Sequence, residues 1–122
     1  MPDILPELPE ITLKSRVRLY RGAEIALGPG KADLLSAIAS EGSISAAGRR
    51  LGMSYRRAWL LVDTMNRCFR EPLVASAAGG QHGGGAHLTA LGAEVLALYQ
   101  AMAEDVAAAA ERHAAGLRDL LG

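Results

Sequence analysis

Two clusters carry most of the chemistry available to this sequence. Between residues 42 and 70 stand Arg49, Arg50, Arg56, Arg57, Arg67 and Arg70, against the single acid Asp63 and no lysine. Guanidinium groups bond phosphate oxygens and pair bidentately with guanine edges, so this stretch has the chemistry of a nucleic-acid contact. The bland alternative is a solvated basic face, and it is disfavoured because the surplus coincides with a helix start, Ser54-Tyr55-Arg56-Arg57. The second cluster is Gly79-Gly80-Gln81-His82-Gly83-Gly84-Gly85, five glycines in seven positions. Glycine lets a backbone approach a phosphate closely, and His82 can donate to one. A nucleotide-binding loop is not expected. Gly79 and Gly84 have its glycine spacing, but Gly85-Ala86 stand where Lys-Ser/Thr would be, and no buried strand of a βαβ unit precedes them.

Catalytic and metal chemistry find little support. His82 and His87 lie five apart around a loop, His113 is distant, and Cys68 is the only cysteine, so no closed metal-ligand set forms. No Ser/His/Asp or paired-carboxylate arrangement emerges, and neither an enzyme nor a bound cofactor is expected. A lone cysteine excludes an intrachain disulfide framework and fits a reducing cytoplasm. Beside Phe69 it reads as a buried small hydrophobe, and Asp63 reads as a local ion-pair partner for the basic helix. The acidic, proline-containing start MPDILPELPE is not a signal peptide. No apolar run approaches the ~18 residues of a membrane span. A cytoplasmic protein with no membrane partner is expected.

These residues need elements to position them. Residues 1–11 hold Pro2, Pro6 and Pro9 and read as an extended arm. Arg16 to Arg21 alternates like a half-buried strand, Arg21-Gly22 turns, and Ala23 to Leu27 returns. A first helix spans about Gly30 to Glu41 and is stopped by Gly42. Ser43 or Ser45 caps a short second helix through Leu51, and Gly52 supplies the turn. Ser54 caps a third helix from Tyr55 to about Arg70, whose Ala58, Leu61, Val62, Met65 and Phe69 repeat at helical spacing. Leu73-Val74-Ala75 and Ala86-His87-Leu88 read as strands around the glycine loop. Thr89 caps a long helix to about Leu121, with a break expected near Gly116. Ala46, Ala47 and Gly48 are small enough for two helices to cross closely. The second and third helices therefore read as a helix-turn-helix, and the glycine loop as its wing. The fold class is mainly α with small β elements: a winged helix-turn-helix over 12–88, after a flexible arm over 1–11, and a long C-terminal helix over 89–122.

The run Gly42-Ser43-Ile44-Ser45, Gly52-Met53-Ser54-Tyr55-Arg56 and Ala58-Trp59 resembles the DNA-binding domain of the ModE family of molybdate-responsive regulators. Met65-Asn66, Leu73-Val74, Gly79-Gly80, Gly83 to Ala86, Leu88-Thr89, Gly92 and Leu98-Tyr99 continue the resemblance in order from about Thr12 to Tyr99. The first half is also similar to the LysR-type helix-turn-helix, through the spacing from Ala47 past Leu51 to Ser54, and the glycine wing favours ModE. The resemblance implies a homodimer on a palindromic operator in double-stranded DNA. It aligns Ser54, Tyr55 and Arg56 with the start of the recognition helix, and Gly80, Gln81, His82, Gly83 and Gly84 with the wing. Ser45, Arg49, Arg50 and Arg57 join them as candidate DNA contacts. Trp59 also matches, and beside Ala58 and Val62 it is expected to pack in the core. Molybdate binding in the family belongs to a C-terminal pair of small β domains, whereas 34 residues follow Leu88 here and read as helix. Direct molybdate sensing is not expected. Constitutive binding, a separate molybdate-binding partner protein and a function outside molybdenum control stay open.

The C-terminal helix carries an apolar stripe, Leu91, Val95, Leu98, Met102 and Val106. Leu98, Met102 and Val106 are the expected dimerisation residues, and the first strands are candidates for the same interface. A winged-helix module that holds another protein, or an oxyanion sensor at the dimer interface, are the alternatives from other classes. The 13 cations and 13 anions cancel over the whole chain, which by itself argues against attraction to nucleic acid. By segment the balance is −1 for 1–41, +5 for 42–70, −1 for 71–88 and −3 for 89–122. The chain divides into a basic head and an acidic tail.

Overall fold

A computed structural model of the 122-residue chain describes residues 8–76 and 85–122. The first regular pair is an antiparallel ribbon, β1 (Leu19–Arg21) and β2 (Glu24–Leu27), turned at Gly22. Its pairing shifts register between Leu19 and Tyr20. The alternation from Arg16 predicted a longer, half-buried strand. Only three residues pair, and all three are exposed. In this two-stranded ribbon β1 has one neighbour, and β2 alone packs its end (Ala26, Leu27) into the core.

Four helices follow the ribbon. Pro29 opens α1 (Pro29–Glu41), where its missing N–H is no loss. Gly42 ends it with φ 79°, a left-handed conformation that a side chain disfavours, and its N–H bonds the Ile38 carbonyl at 2.9 Å. In α2 (Ile44–Arg50) the cap is Ser43, whose hydroxyl accepts from the Ala46 N–H at 3.0 Å. Ser45, the other candidate, instead accepts from the Arg49 guanidinium. Ser54 caps α3 (Tyr55–Cys68) by accepting from the Arg57 N–H at 3.1 Å. This helix stops two residues before the expected Arg70, because the backbone becomes extended at Phe69, whose ring packs against the core.

The wing's base is a second antiparallel pair, β3 (Val74–Ser76) and β4 (Ala86–Leu88), in register Val74↔Leu88, Ala75↔His87 and Ser76↔Ala86. Leu73 lies outside the strand yet is fully buried. Thr89 then caps α4 (Ala90–Leu120) by accepting from the Gly92 N–H at 3.0 Å. The 31 residues of α4 are about 46 Å long. The break expected near Gly116 is absent. A single glycine costs a helix about 1 kcal/mol, and the Glu111–Arg118 pair bridges this region with two bonds of 2.9 Å.

Leu34, Leu35, Ile38, Val62, Met65 and Leu73 are the largest fully buried side chains, with Ala47, Ala58 and Tyr99 around them. The Tyr99 hydroxyl donates to the Val17 carbonyl at 2.7 Å and ties the segment before β1 to α4. The predicted stripe of α4 divides. Leu91 and Val95 are half-buried, while Leu98, Met102 and Val106 are exposed. Leu91, Val95, Leu96 and Ala103 pack against the core around buried Tyr99, and Gly92 is buried near the start of the helix. The helix is therefore apolar on two faces, one inward and one outward.

Candidate nucleic-acid interface

The crossing of α2 and α3 depends on small residues. A Cβ on Gly48 would stand 3.2 Å from the Ala58 Cβ, and the Gly48 carbonyl accepts from the Met53 N–H at 2.8 Å. Gly52 completes the turn at φ 71°. Ala58, Val62 and Met65 hold the inner side of α3 in the core. The opposite side is left outward, and Arg56, Leu60, Asp63 and Arg67 follow one another along it, all exposed.

Each predicted contact residue can now be placed. Ser54, Tyr55, Arg56 and Arg57 form the N-terminal end of α3, and all four are exposed. The Ser54 hydroxyl is engaged in the cap. Arg56 and Arg57 make no ion pair among the described residues, so their charge faces solvent. Among the described residues Arg49 bonds the Ser45 hydroxyl, at 3.0 Å. Arg50 donates to Ser40 Oγ at 2.8 Å and stands 3.7 Å from a Glu41 oxygen, so its charge is partly offset. Arg67 is committed elsewhere: it bonds Asp63 at 3.0 Å and Glu24 at 3.3 Å, which raises its already high pKa. The expected local pair for Asp63 is thus present. Buried Cys68 behaves as a small hydrophobe, with its Sγ 3.5 Å from Glu24, and burial raises its pKa. Gly80, Gln81, His82, Gly83 and Gly84 lie outside the described residues.

Trp59 departs from expectation. It is 39% exposed and stands edge-on to the Tyr55 ring, with centroids 6.2 Å apart and planes at 75°. It lies on the flank of α3 shared with Tyr55 and Asn66, outside the core stripe of Ala58, Val62 and Met65. Neighbouring apolar letters could not distinguish a flank position from a core one.

Two further residues act that sequence reasoning did not single out as contacts or supports. Asn66 bonds the wing's base to α3: its Oδ1 accepts from the Leu73 and Val74 N–H groups at 2.8 and 3.2 Å, and its Nδ2 donates to the Val74 carbonyl at 3.2 Å. Lys31, in the first turn of α1, lies within the electrostatic reach of Arg57. Partial burial lowers its pKa, nearby Cys68 raises it, Arg57 lowers it and Glu24 raises it. Lys31 thus adds a partly buried cation of α1 to the neighbourhood of Arg57. No run of basic letters marks it, because its neighbours in space come from other segments.

Between β1, the end of α3 and α4, Leu19, Tyr20, Phe69, Leu91, Val95 and Leu98, with Arg21, Arg70 and Glu94, line an open groove of about 430 Å³. It runs into the exposed face of α4 at Leu98, Met102 and Val106. Among the described residues no helix is long and apolar enough to cross a membrane, and no group of three or more His, Cys, Asp or Glu is placed to hold a metal ion.

No protein-family model matches the chain. It is 38% identical over 108 residues to the molybdenum transport protein ModE of Azotobacter vinelandii, covering 88% of this chain and 40% of that protein. The molybdenum-pterin-binding protein MopB of Rhodobacter capsulatus is 46% identical over 81 residues, 66% of this chain and 30% of MopB. The DNA-binding transcriptional dual regulator ModE of Escherichia coli K12 is 37% identical over 94 residues, 77% of this chain and 34% of that protein. The chain thus spans two fifths or less of the length of these relatives. Among solved structures, the CbnR DBD–DNA complex superposes with a TM-score of 0.59 at 20% identity, covering 72% of this chain and 95% of that one. The fold is that of a winged-helix DNA-binding domain with a long C-terminal helix.

Proposed function

From its kinship with the ModE regulators over most of its length, we propose that this chain is a sequence-specific, double-stranded DNA-binding regulator of transcription that acts as a homodimer on a palindromic operator. The observation that carries the reading is the N-terminal end of α3. A capped helix presents Tyr55 and two arginines free of ion pairs on a side turned away from the core, which is the requirement for insertion into a major groove. In this reading Arg56 and Tyr55 meet base edges and Arg57 assists. Arg49, Arg50 and Ser45 at α2 meet the backbone. The wing, Gly80 to Gly84, runs along neighbouring phosphates or the minor groove. Leu98, Met102 and Val106, with the apolar groove beside β1, form the contact between copies.

The link to molybdenum rests on the relatives' names alone, and under it the signal reaches this chain through a separate molybdate-binding protein. A cytoplasmic, non-enzymatic role accompanies the reading. Selection of bound DNA from a random pool tests it. Enrichment of an inverted repeat is expected, with half-sites one helical turn apart, about 10 base pairs, or a multiple of it. Salt-insensitive binding, or no enrichment at all, overturns it.

A further inference from the structure

The outer side of α3 is not uniformly polar. Leu60, one turn after Arg56 on the side opposite the core, is 55% exposed, and its flank neighbours Tyr55 and Trp59 are 59% and 39% exposed. Of the large hydrophobics of α3, Val62 and Met65 are fully buried and Leu61 is half-buried, while Tyr55, Trp59 and Leu60 stay exposed. α3 thus exposes a leucine among arginines on its outer side and an edge-on tyrosine–tryptophan pair on its flank. A mixed surface of this kind is matched by one feature of the major groove. Every base pair presents hydrogen-bonding groups there, and thymine alone adds an apolar one, its C5 methyl.

Resting on the DNA-binding reading above, we propose that Leu60 contacts a thymine methyl group in the major groove, with the exposed Tyr55–Trp59 ring pair on the neighbouring flank of α3, so that this chain reads thymine by apolar contact while Arg56 reads a hydrogen-bonding base or a phosphate beside it. The spacing supports a division of labour. Arg56 and Leu60 are four residues apart and so stand one above the other on the helix. Trp59 is one residue before Leu60, turned toward the wing side where Asn66 fixes β3. Asp63 is taken up by Arg67, so the carboxylate on this side is neutralised where it would otherwise face phosphate.

The test uses the DNA recovered by the selection described above. Each thymine of the operator is replaced in turn by deoxyuridine, which removes the methyl and leaves every hydrogen-bonding group. Wild-type protein is expected to lose affinity about fourfold per contacted methyl, the transfer free energy of one CH₂-sized group, at a small number of positions in each half-site. Leu60→Ala is expected to fold, since the site is exposed and alanine favours helix. It should bind the thymine and uracil operators alike, while Leu60→Met restores the difference. Trp59 is the chain's only tryptophan, so its emission should change more on the thymine operator than on the uracil one. Indifference of the wild type to every deoxyuridine, with operator binding intact, overturns the proposal and leaves the DNA-binding reading standing. So does a Leu60→Ala variant that keeps the full methyl dependence. Failure to recover any operator overturns the DNA-binding reading itself, and this proposal with it.

Discussion

Arg49, Arg56 and Arg57 differ from Arg50 and Arg67 in one physical respect: whether a carboxylate already stands beside the guanidinium. Arg67 has two such neighbours, Asp63 and Glu24, and Arg50 has Glu41. In the proposed complex Arg56→Ala removes a base contact, so binding-site selection should lose preference at one position per half-site, worth about 1–3 kcal/mol. Arg50→Ala should weaken binding to all sequences and lower the salt slope by about one per chain. An unchanged slope removes the phosphate role of Arg50. Asn66 is a test of stability. Asn66→Ala leaves the Leu73 and Val74 N–H groups without their partner, at about 1–3 kcal/mol each when buried, and thermal unfolding should shift accordingly. Tyr99 gives a pH dependence. Burial raises its pKa above the ordinary tyrosine value, with Arg18 lowering it in part and Asp33 raising it. The folded state therefore holds the phenolic proton more tightly than the unfolded one. Its contribution is full below the ordinary value and is lost as pH rises past it. Tyr99→Phe should flatten that alkaline decline in stability.

At the scale of elements, the wing and α4 are tied at one point. Gly92 packs so closely on Leu73 that any Cβ would collide with the Leu73 carbonyl oxygen. The Thr89 hydroxyl donates to the Pro72 carbonyl at 2.7 Å while it caps α4, and its N–H bonds the Leu73 carbonyl at 2.9 Å. Asn66 of α3 bonds the same segment from the other side. The start of α4, the base of the wing and the end of α3 thus meet around residues 72–74. Gly92→Ala should cost at least the 1–3 kcal/mol typical of overpacking, because the obstacle is backbone and cannot rotate away. Unfolding in urea at constant m-value measures it.

For the molecule as a whole, the zero net charge hides a division that tertiary structure sharpens. Arg49, Arg56 and Arg57, on α2 and at the start of α3, make no ion pair among the described residues, while α4 carries an acidic excess and an exposed apolar face. In the proposed dimer, Leu98→Glu combined with Met102→Glu places two charges in the contact between copies. Sedimentation should then report monomers. Operator affinity should fall by far more than affinity for a single half-site, because linkage of the two heads is lost. Monomeric wild-type protein at working concentration contradicts the assembly. Far-ultraviolet circular dichroism of the variant checks that these exposed positions leave the helices intact.

The helices, their caps at Ser54 and Thr89, the turn at Gly52 and the wing's strands were legible in the sequence because each is set locally, by periodicity of 3.6 or 2 and by residues with distinct capping or φ preferences. The family resemblance was legible for the same reason, since its motifs sit at those caps and turns. Facing was decided only by the tertiary structure. Whether Trp59 joins the core and whether Arg50 and Arg67 are free depend on how separate elements pack, as when Glu24 of β2 meets Arg67 of α3. Local letters hold no record of that packing. A helix is written along the chain, whereas the state of a charge or a ring on its surface is set by what folds against it.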